Sequence, residues 1–300
     1  MLIRENWGEL LEPGLRTIWD KHLNNLRDFL PVIYNMETSK KAAEHSLGVG
    51  ALGLMQPWED TGNQVNYEKI YTGFPKTYMH KKYSNGMQIE RELLEDDQYS
   101  EIKKRTKALA MSVYYTRQYY GALTFNEAFN ASFPGPDGKP LCASDHPLSP
   151  TNSTQWKNAD ELTLNADNVE KVRGRMKNWT DDKGNLLAVN PDTLIVPTQL
   201  RKPALVIADS DGEPDTSDNN VNIWKGSVNV IEYDFLTDQN AWFMVDMERM
   251  KRFLVWFDRR KAQLESEKSF DTEVAKYKTV ARWSHGFEDA TFIYGLQQPA

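Results

Sequence analysis

The stretch QYSEIKKRTKALAMSVYYTRQYYGALTFNEAF, positions 98–129, decides the fold. Ile102, Thr106, Leu109, Val113, Arg117 and Tyr120 recur at steps of three and four, with Ala110 and Tyr114 beside them. One helix face therefore gathers the side chains that avoid water. Asp96 or Asp97 is placed to cap its start, and Gly121 is where a bend is expected. Phe133-Pro134-Gly135-Pro136-Asp137-Gly138 stops it, because successive Pro and Gly residues cannot continue a helix. At ~1.5 Å per residue it reaches about 45 Å, which makes it a spine, too long for a small compact domain.

Toward the N-terminus the spine is preceded by an extended hairpin, read over 57–92. Val65-Asn66-Tyr67-Glu68-Lys69-Ile70-Tyr71 alternates as one strand, Thr72-Gly73-Phe74-Pro75 turns, and Thr77 to Tyr83 returns. Ser84-Asn85-Gly86 offers a bulge or a second turn. An isolated two-stranded ribbon with so few apolar residues is marginal in water, so a neighbouring subunit is expected to cover it. Before it, Leu10, Leu11, Leu15, Ile18, Trp19, Leu23 and Leu26 predict an amphipathic helix in an arm-like segment. Gly48-Val49-Gly50-Ala51-Leu52-Gly53 reads as a hinge.

Toward the C-terminus, 139–162 is loop-like and a second helix starts near Asn165. Asp182-Lys183-Gly184-Asn185 turns the chain, and Thr193-Leu194-Ile195-Val196 is a buried strand. Thr198 caps a short helix interrupted by Pro203. Residues 209–222, with Asp209, Asp211, Glu213, Asp215 and Asp218 and no Lys or Arg, form an acidic loop. Strands are expected at about 223–231, 241–246 and 252–257, and long strands over 262–295.

The bulk numbers narrow the function classes. A chain of 300 residues with 40% hydrophobic and 26% charged side chains can bury a core in one or two domains. A net charge of -7 gives no basic face of the kind that grips nucleic acid. A single cysteine, Cys142, allows no internal disulfide and no multi-cysteine zinc site. No apolar run suggests a membrane span and no secretory leader is visible, so folding in a reducing cytoplasm is expected.

Candidate chemistry is sparse. Cys142 and His146 could form a thiolate–imidazole pair, but loop neighbours without an oxyanion-hole pattern read as structural. Asp209-Ser210-Asp211-Gly212-Glu213 has glycine fourth rather than sixth, so a calcium loop gives way to a solvated one. Lys76, His80, Lys81 and Lys82, with Tyr78 and Tyr83 interleaved, suit single-stranded nucleic acid or, preferably, an acidic neighbouring subunit. Arg249, Lys251, Arg252, Arg259, Arg260 and Lys261 form a second basic region of the intersubunit or solvated kind. Phosphate loops, dinucleotide fingerprints, HExxH and GxSxG are all absent from the sequence. No enzyme activity, cofactor or metal is expected.

The order of arm, hairpin, spine helix, mixed segment and long return strands resembles the Hong Kong 97-type capsid fold, an α+β architecture. Local sequence sharpens the likeness to Mu-like major head subunits of tailed double-stranded DNA phages. Asp137-Gly138-Lys139-Pro140-Leu141-Cys142-Ala143-Ser144-Asp145-His146-Pro147-Leu148 is similar to their loop after the spine. Pro191-Asp192-Thr193-Leu194-Ile195-Val196-Pro197 resembles the strand entering the short helix, and Asn240-Ala241-Trp242-Phe243-Met244-Val245-Asp246 resembles a second signature strand. Phe270-Asp271-Thr272-Glu273, Arg282-Trp283-Ser284-His285-Gly286-Phe287 and Phe292-Ile293-Tyr294-Gly295 resemble the C-terminal signature, although Ala290-Thr291 stands where Trp-Arg is the rule.

The resemblance implies an N-terminal arm (1–53), an E-loop (54–95), a P-domain (96–160 with 248–300) and an A-domain (161–247). It implies a shell subunit that assembles with itself into pentamers and hexamers around double-stranded DNA, in the host cytoplasm. Portal and separate scaffolding proteins, and in some shells a decoration protein, are the implied partners. A tail or portal-associated structural protein is the alternative, and a cytosolic enzyme using Cys142 and His146 a more distant one. Intersubunit candidates are Lys69, Lys76, Lys81, Lys82, Arg249, Arg252, Asp209, Asp211, Glu213 and Asp215. Some relatives join an E-loop lysine covalently to a P-domain asparagine of a neighbour. Residues 248–300 contain no asparagine, so no such cross-link is expected.

Overall fold

The computed structural model describes residues 7–60, 62, 64–65, 67–96, 99–212, 221–269 and 274–299. The spine is helix α4, Tyr99–Asn126, about 42 Å long. It buries Ile102, Thr106, Leu109, Ala110, Val113, Gln118, Gly121, Ala122 and Phe125. Asp96 closes the preceding helix α3 (Arg91–Glu95) through its N–H, on Glu92 O at 2.9 Å. Asp97 lies outside the described residues. Gly121 lies inside an uninterrupted helix. It lets another segment approach, since a Cβ there would stand 2.1 Å from Leu30 Cδ2.

That segment belongs to the stretch read as an arm. Helix α1 (Trp7–Asn24) lays Leu15 and Trp19 against the spine. The short helix α2 (Leu30–Ile33) and the residues flanking it bury Phe29, Leu30, Ile33 and Tyr34 in the central core. Strand β1 (Asn35–Thr38) then pairs in parallel with β11 (Leu254–Ser269). A four-residue helix is too short to show periodicity, which hid this docking in the sequence.

The ribbon is built from different strands than its alternation suggests. Strand β2 (Ala43–Val49) pairs antiparallel with β3 (Thr72–Met79), and 50–71 connects them. Thr72-Gly73-Phe74-Pro75 is therefore strand rather than turn, and Gly48 is strand rather than hinge. The two glycines are needed for contact: a Cβ on Gly73 would lie 2.7 Å from the Gly48 carbonyl carbon. Pro75 is tolerated because β3 has only one hydrogen-bonded partner. Strand β4 (Lys81–Glu90) leaves the ribbon and joins the long sheet β1-β11-β12-β4. In that sheet β12 (Val274–Phe287) pairs along β11 on one side and β4 on the other. The spine crosses this sheet through Ile89, Ile102, Leu109, Val113, Leu264, Ala275 and Tyr277.

The region read as loop over 139–162 contains β5 (His146–Ser149), β6 (Asn152–Trp156) and β7 (Ala159–Glu161). Their polar sequences carry no alternation. Helix α5 (Ala166–Lys177) starts where expected, with Asn165 accepting from Asn168 N–H. Strand β8 (Thr193–Val196) leads through a 3-10 turn into α6 (Arg201–Asp209). Pro203 falls in the first turn of α6, where its missing N–H costs no hydrogen bond. Only Asn229–Glu232 (β9) of the expected strand 223–231 is strand. Strand β10 (Ala241–Val245) is buried throughout. Helix α7 (Met247–Phe253) replaces the start of the strand read at 252–257, because Asp246 caps it by accepting from Arg249 N–H. With β13 (Ile293–Gln297) these strands form the sheet β7-β13-β10-β8-β9. Helices on it bury Val169, Val172, Met176, Ala204 and Ile207 against Trp242, Met244 and Tyr294. Burial from both faces explains the uninterrupted apolar runs in β8 and β10.

Candidate intersubunit surfaces

The ribbon carries an apolar tip that its own chain does not cover. Leu52 is 55% exposed, Leu54 72% and Met55 99%. Leu47, Val49, Val65, Tyr67, Ile70 and Tyr71 are exposed as well. A patch of this kind on an ordinary soluble protein would favour aggregation, and on an assembling one it marks an interface. Ala51 N–H donates to Asp182 Oδ1 at 3.0 Å, and Gly53 N–H to Glu68 Oε2 at 3.0 Å. The Gly53 bond, with Lys183 3.5 Å away adding to it, holds the Glu68 carboxyl below its ordinary range. These polar contacts fix the direction of the tip without burying its apolar side chains.

The expected interface residues fall in separate places. Lys69 is exposed near the tip. Lys76 and Lys81 come together at the ribbon root, beside a cavity of about 450 Å³ lined by Tyr78, Tyr83, Tyr120, Trp283, His285 and Phe287. Lys76 is half-buried and donates to Pro134 O at 2.8 Å, and burial lowers its pKa. Lys81 and Lys82 are exposed. His80 leaves the basic strip: it is buried between Ser39 Oγ at 3.1 Å and Ser284 Oγ at 2.9 Å, and burial pushes its pKa down. Arg249 turns inward to Thr291 Oγ1 at 2.8 Å, whereas Arg252 is exposed over the Phe253 ring. Asp209 ends α6, and Asp211 pairs with Lys225, which holds its carboxyl below the ordinary range. Glu213, Asp215 and Asp218 lie outside the described residues.

The Cys142 and His146 pair is structural. Burial pushes the thiol pKa up, away from a reactive thiolate. His146 is bonded elsewhere, with Nδ1 2.5 Å from Asp137 Oδ2 and Nε2 3.1 Å from Asn158 Oδ1, and its ring stacks on Trp156. Among the described residues there is no group of three or more acidic, His or Cys side chains placed to hold a metal, and no helix is long and apolar enough to cross a membrane.

His285 on the cavity wall yields a pH prediction. Its ring stacks on Trp256 at 5.1 Å and meets Tyr34 and Tyr120 edge-on or tilted. Burial first, and Lys81 second, lower its pKa from 6.5 to about 4. In both folded and unfolded chains it is neutral above pH 6.5. Between pH 6.5 and 4 only the unfolded chain takes up the proton, so folding stability falls as pH falls through that window. The full displacement corresponds to about 3 kcal/mol, and the surface left toward the cavity reduces this to about 2 kcal/mol. Urea unfolding at pH 7 and pH 4 should show wild type losing that much more than His285→Gln; equal losses would contradict a neutral buried ring.

The chain matches the family model described as phage capsid protein over residues 74–294. No curated protein sequence matches it. Among solved structures it resembles the mature capsid of bacteriophage PhiM1 at 9% identity and TM-score 0.57, covering 91% of this chain and 87% of that one. It also resembles the capsid of bacteriophage JBD30 decorated with minor capsid protein trimers, at 15% identity and TM-score 0.54, covering 71% and 92%. A virus-like particle from Pyrococcus furiosus is similar at 11% identity and TM-score 0.54, covering 95% and 98%. At these identities the structural likenesses carry the fold, which is the α+β Hong Kong 97 type.

Proposed function

The chain belongs to the phage capsid protein family, and we propose that it is a major head subunit of the Mu-like kind, closing with copies of itself as pentamers and hexamers into an icosahedral shell around double-stranded DNA. The observation that carries this reading is the ribbon. A two-stranded extension with an exposed apolar tip gains most of its stability from what it lies on, and a neighbouring copy supplies that surface. The division into arm (1–53), E-loop (54–95), P-domain (96–160 with 248–300) and A-domain (161–247) fits a shell subunit, with the ribbon's first strand, at 43–49, added to the E-loop. Lys69, Lys81, Lys82, Arg252, Asp209 and Asp211 are solvent-facing and suited to contacts between copies. Arg249 and Lys76 serve mainly their own chain. The acidic stretch to which Asp209 and Asp211 belong would crowd around a capsomer axis.

Assembly in the host cytoplasm, with a separate scaffolding protein and a portal at one vertex, completes the reading. A decoration protein is a further partner, as in the JBD30 particle. Negative-stain microscopy of the expressed chain with its neighbouring scaffold gene product tests it: shells or capsomers support it, and tubes or a permanent monomer refute it. Hydrogen exchange gives a second test. Amides of 43–79 should exchange at least tenfold more slowly in shells than in the unassembled chain, while those of 193–196 stay equally protected. Unchanged ribbon protection would sink the intersubunit role.

A further inference from the structure

The outer face of the spine carries a stripe with a symmetry of its own. Lys103, Lys107, Met111, Tyr115 and Tyr119 follow one another at steps of four along α4. That spacing makes them one ridge of the helix surface. Helix α1 and the long sheet cover the opposite side, through Ile102, Leu109 and Val113. Lys103, Lys107, Tyr115 and Tyr119 are exposed, and Met111 between them is half-buried. Two lysines therefore stand on one side of Met111 and two tyrosines on the other.

We propose that this ridge pairs with the same ridge of a second copy, antiparallel about a twofold axis at Met111. Lys103 and Lys107 of each copy then lie against Tyr115, Tyr119 and Asp234 of the other. The inference rests on the shell reading above and assigns the contact that joins one capsomer to the next. A ring of five or six copies closes through head-to-tail contacts, which use two different patches. Joining two rings about a twofold axis takes a patch that is complementary to itself.

Charge is the first observation that points to this occupant. Glu101 is the one acid of α4, and it serves Lys104 and Arg105 at 3.6 and 3.8 Å. Lys103 and Lys107 have no carboxylate partner among the described residues. From Ala108 to Asn126 the only charged side chain is Arg117, which turns inward to Asp258. Beside that uncharged half Asp234 is exposed and has no ion-pair partner among the described residues. Burial first, then Asp28 and Asp234, push the Tyr114 pKa up, which places negative charge at the tyrosine end. Each ridge is thus positive at one end and negative at the other, and antiparallel pairing matches the two ends twice.

The second observation is that the receiving half is already rigid. Tyr115 tilts against Tyr114 and Phe235 at 5.6 and 6.5 Å, and Tyr119 meets Tyr120 edge-on at 5.4 Å. Asn126 clamps the loop that carries Asp234: its Nδ2 donates to Phe235 O at 3.1 Å and its Oδ1 accepts from Thr237 N–H at 2.9 Å. Rings and carboxylate are set before a partner arrives, so little ordering opposes the contact. An ammonium over a tyrosine ring is also favourable in itself. The third observation is extent. Five side chains are few against the roughly 20–30 a side of a stable interface. The free chain therefore stays unpaired here, and the contact forms once rings bring two copies together.

Met111→Cys tests the axis, because the native Cys142 is buried. Mild oxidation should give at least tenfold more disulfide dimer in assembled shells than in the unassembled chain at the same concentration. Lys107→Cys should not join its own twin. Four residues from the axis, the two copies of that position stand about 12 Å apart, beyond the ~7 Å that a disulfide spans. Shells that mix Lys107→Cys with Tyr115→Cys chains should cross-link. Met111→Cys shells that stay monomeric, or Lys107→Cys shells that join as readily, overturn the twofold contact and leave the shell reading standing. A wild-type chain that forms no shells overturns both. Charge variants test the same contact without a cysteine. Lys103→Glu with Lys107→Glu should lower shell yield at least tenfold with an unchanged unfolding midpoint. Adding Asp234→Lys should recover the yield to within about threefold of wild type. An unaffected yield, or no recovery, would show that the ridge faces something other than its twin.

Discussion

Asn158→Ala should remove most of the folding stability of this chain, on the order of 4 to 6 kcal/mol. Asn158 is fully buried and joins three segments. Its Nδ2 donates to Leu141 O at 2.8 Å and Ile293 O at 3.2 Å, with Ala290 O at 3.5 Å. Its Oδ1 accepts from Ala143 N–H at 2.8 Å and lies 3.1 Å from His146 Nε2, which therefore carries hydrogen. The backbone on either side adds bonds to Ala143 O and from Gly295 N–H. Truncation would leave two carbonyls, an amide and an imidazole N–H in an apolar enclosure. Each such group costs about 1–3 kcal/mol when stranded, and shared relaxation keeps the total below the plain sum. Asn158→Asp is nearly as damaging, because a carboxylate cannot donate to the two carbonyls. Denaturant unfolding of the soluble chain would measure the loss. A change under about 2 kcal/mol would mean that the segment after the spine and the C-terminal strand are held by packing alone.

No reading of 139–162 as loop could have found that residue. An asparagine gives no periodic signal, and its importance comes from where Leu141, Ala290 and Ile293 meet. The long elements were legible for the opposite reason. The spine's apolar face, the buried runs of β8 and β10 and the paired strands β11 and β12 each repeat a pattern over enough residues to outweigh local exceptions. The ribbon was legible as a ribbon but not in its strand limits. Alternation at 65–71 arises from an exposed apolar tip, while the real strands contain Gly48, Gly73 and Pro75, which strand statistics disfavour. Docking of Leu30 against Gly121 left no trace beyond a glycine in mid-helix. The candidate interface was half visible: runs of lysine stand out in sequence, but Lys81 beside Tyr120 and Trp283 is a product of three distant segments. Equally, nothing in the order of residues separates His80, which faces inward, from Lys81 and Lys82, which face out.

Breaking the ion pair between Arg117 and Asp258 should cost about 3–5 kcal/mol, while removing both partners together should cost much less. Arg117 Nη1 lies 2.8 Å and Nη2 3.3 Å from the two Asp258 oxygens. Only 15% and 9% of the two side chains are exposed, which sets this pair apart from the chain's surface pairs, worth at most about 1 kcal/mol. The guanidinium also lies over the rings of Trp256 and Trp283, at 5.1 and 5.7 Å. Asp258 accepts from Trp256 Nε1 at 3.0 Å, and its carbonyl accepts from Ser39 N–H at 3.1 Å. It stands where the β11–β12 register first slips, and such a bulge re-aims a side chain, here toward the spine. Arg117→Met strands a carboxylate in this enclosure, and Asp258→Leu strands a cation. Desolvation without a partner makes each single change severe. The double variant strands only the Trp256 N–H and gains apolar contact, so the coupling in a double-mutant cycle should exceed about 2 kcal/mol. Additive single effects below 1 kcal/mol would show that water reaches the pair and screens it. A large coupling would identify the pair as the bolt between the spine and the long sheet, since α4 meets β11 here at the strand that also carries β1. In that case Arg117→Met should lower the yield of folded subunits before it alters any contact between copies. The loss should appear in the soluble monomer's unfolding midpoint and not in the geometry of the shells that still form.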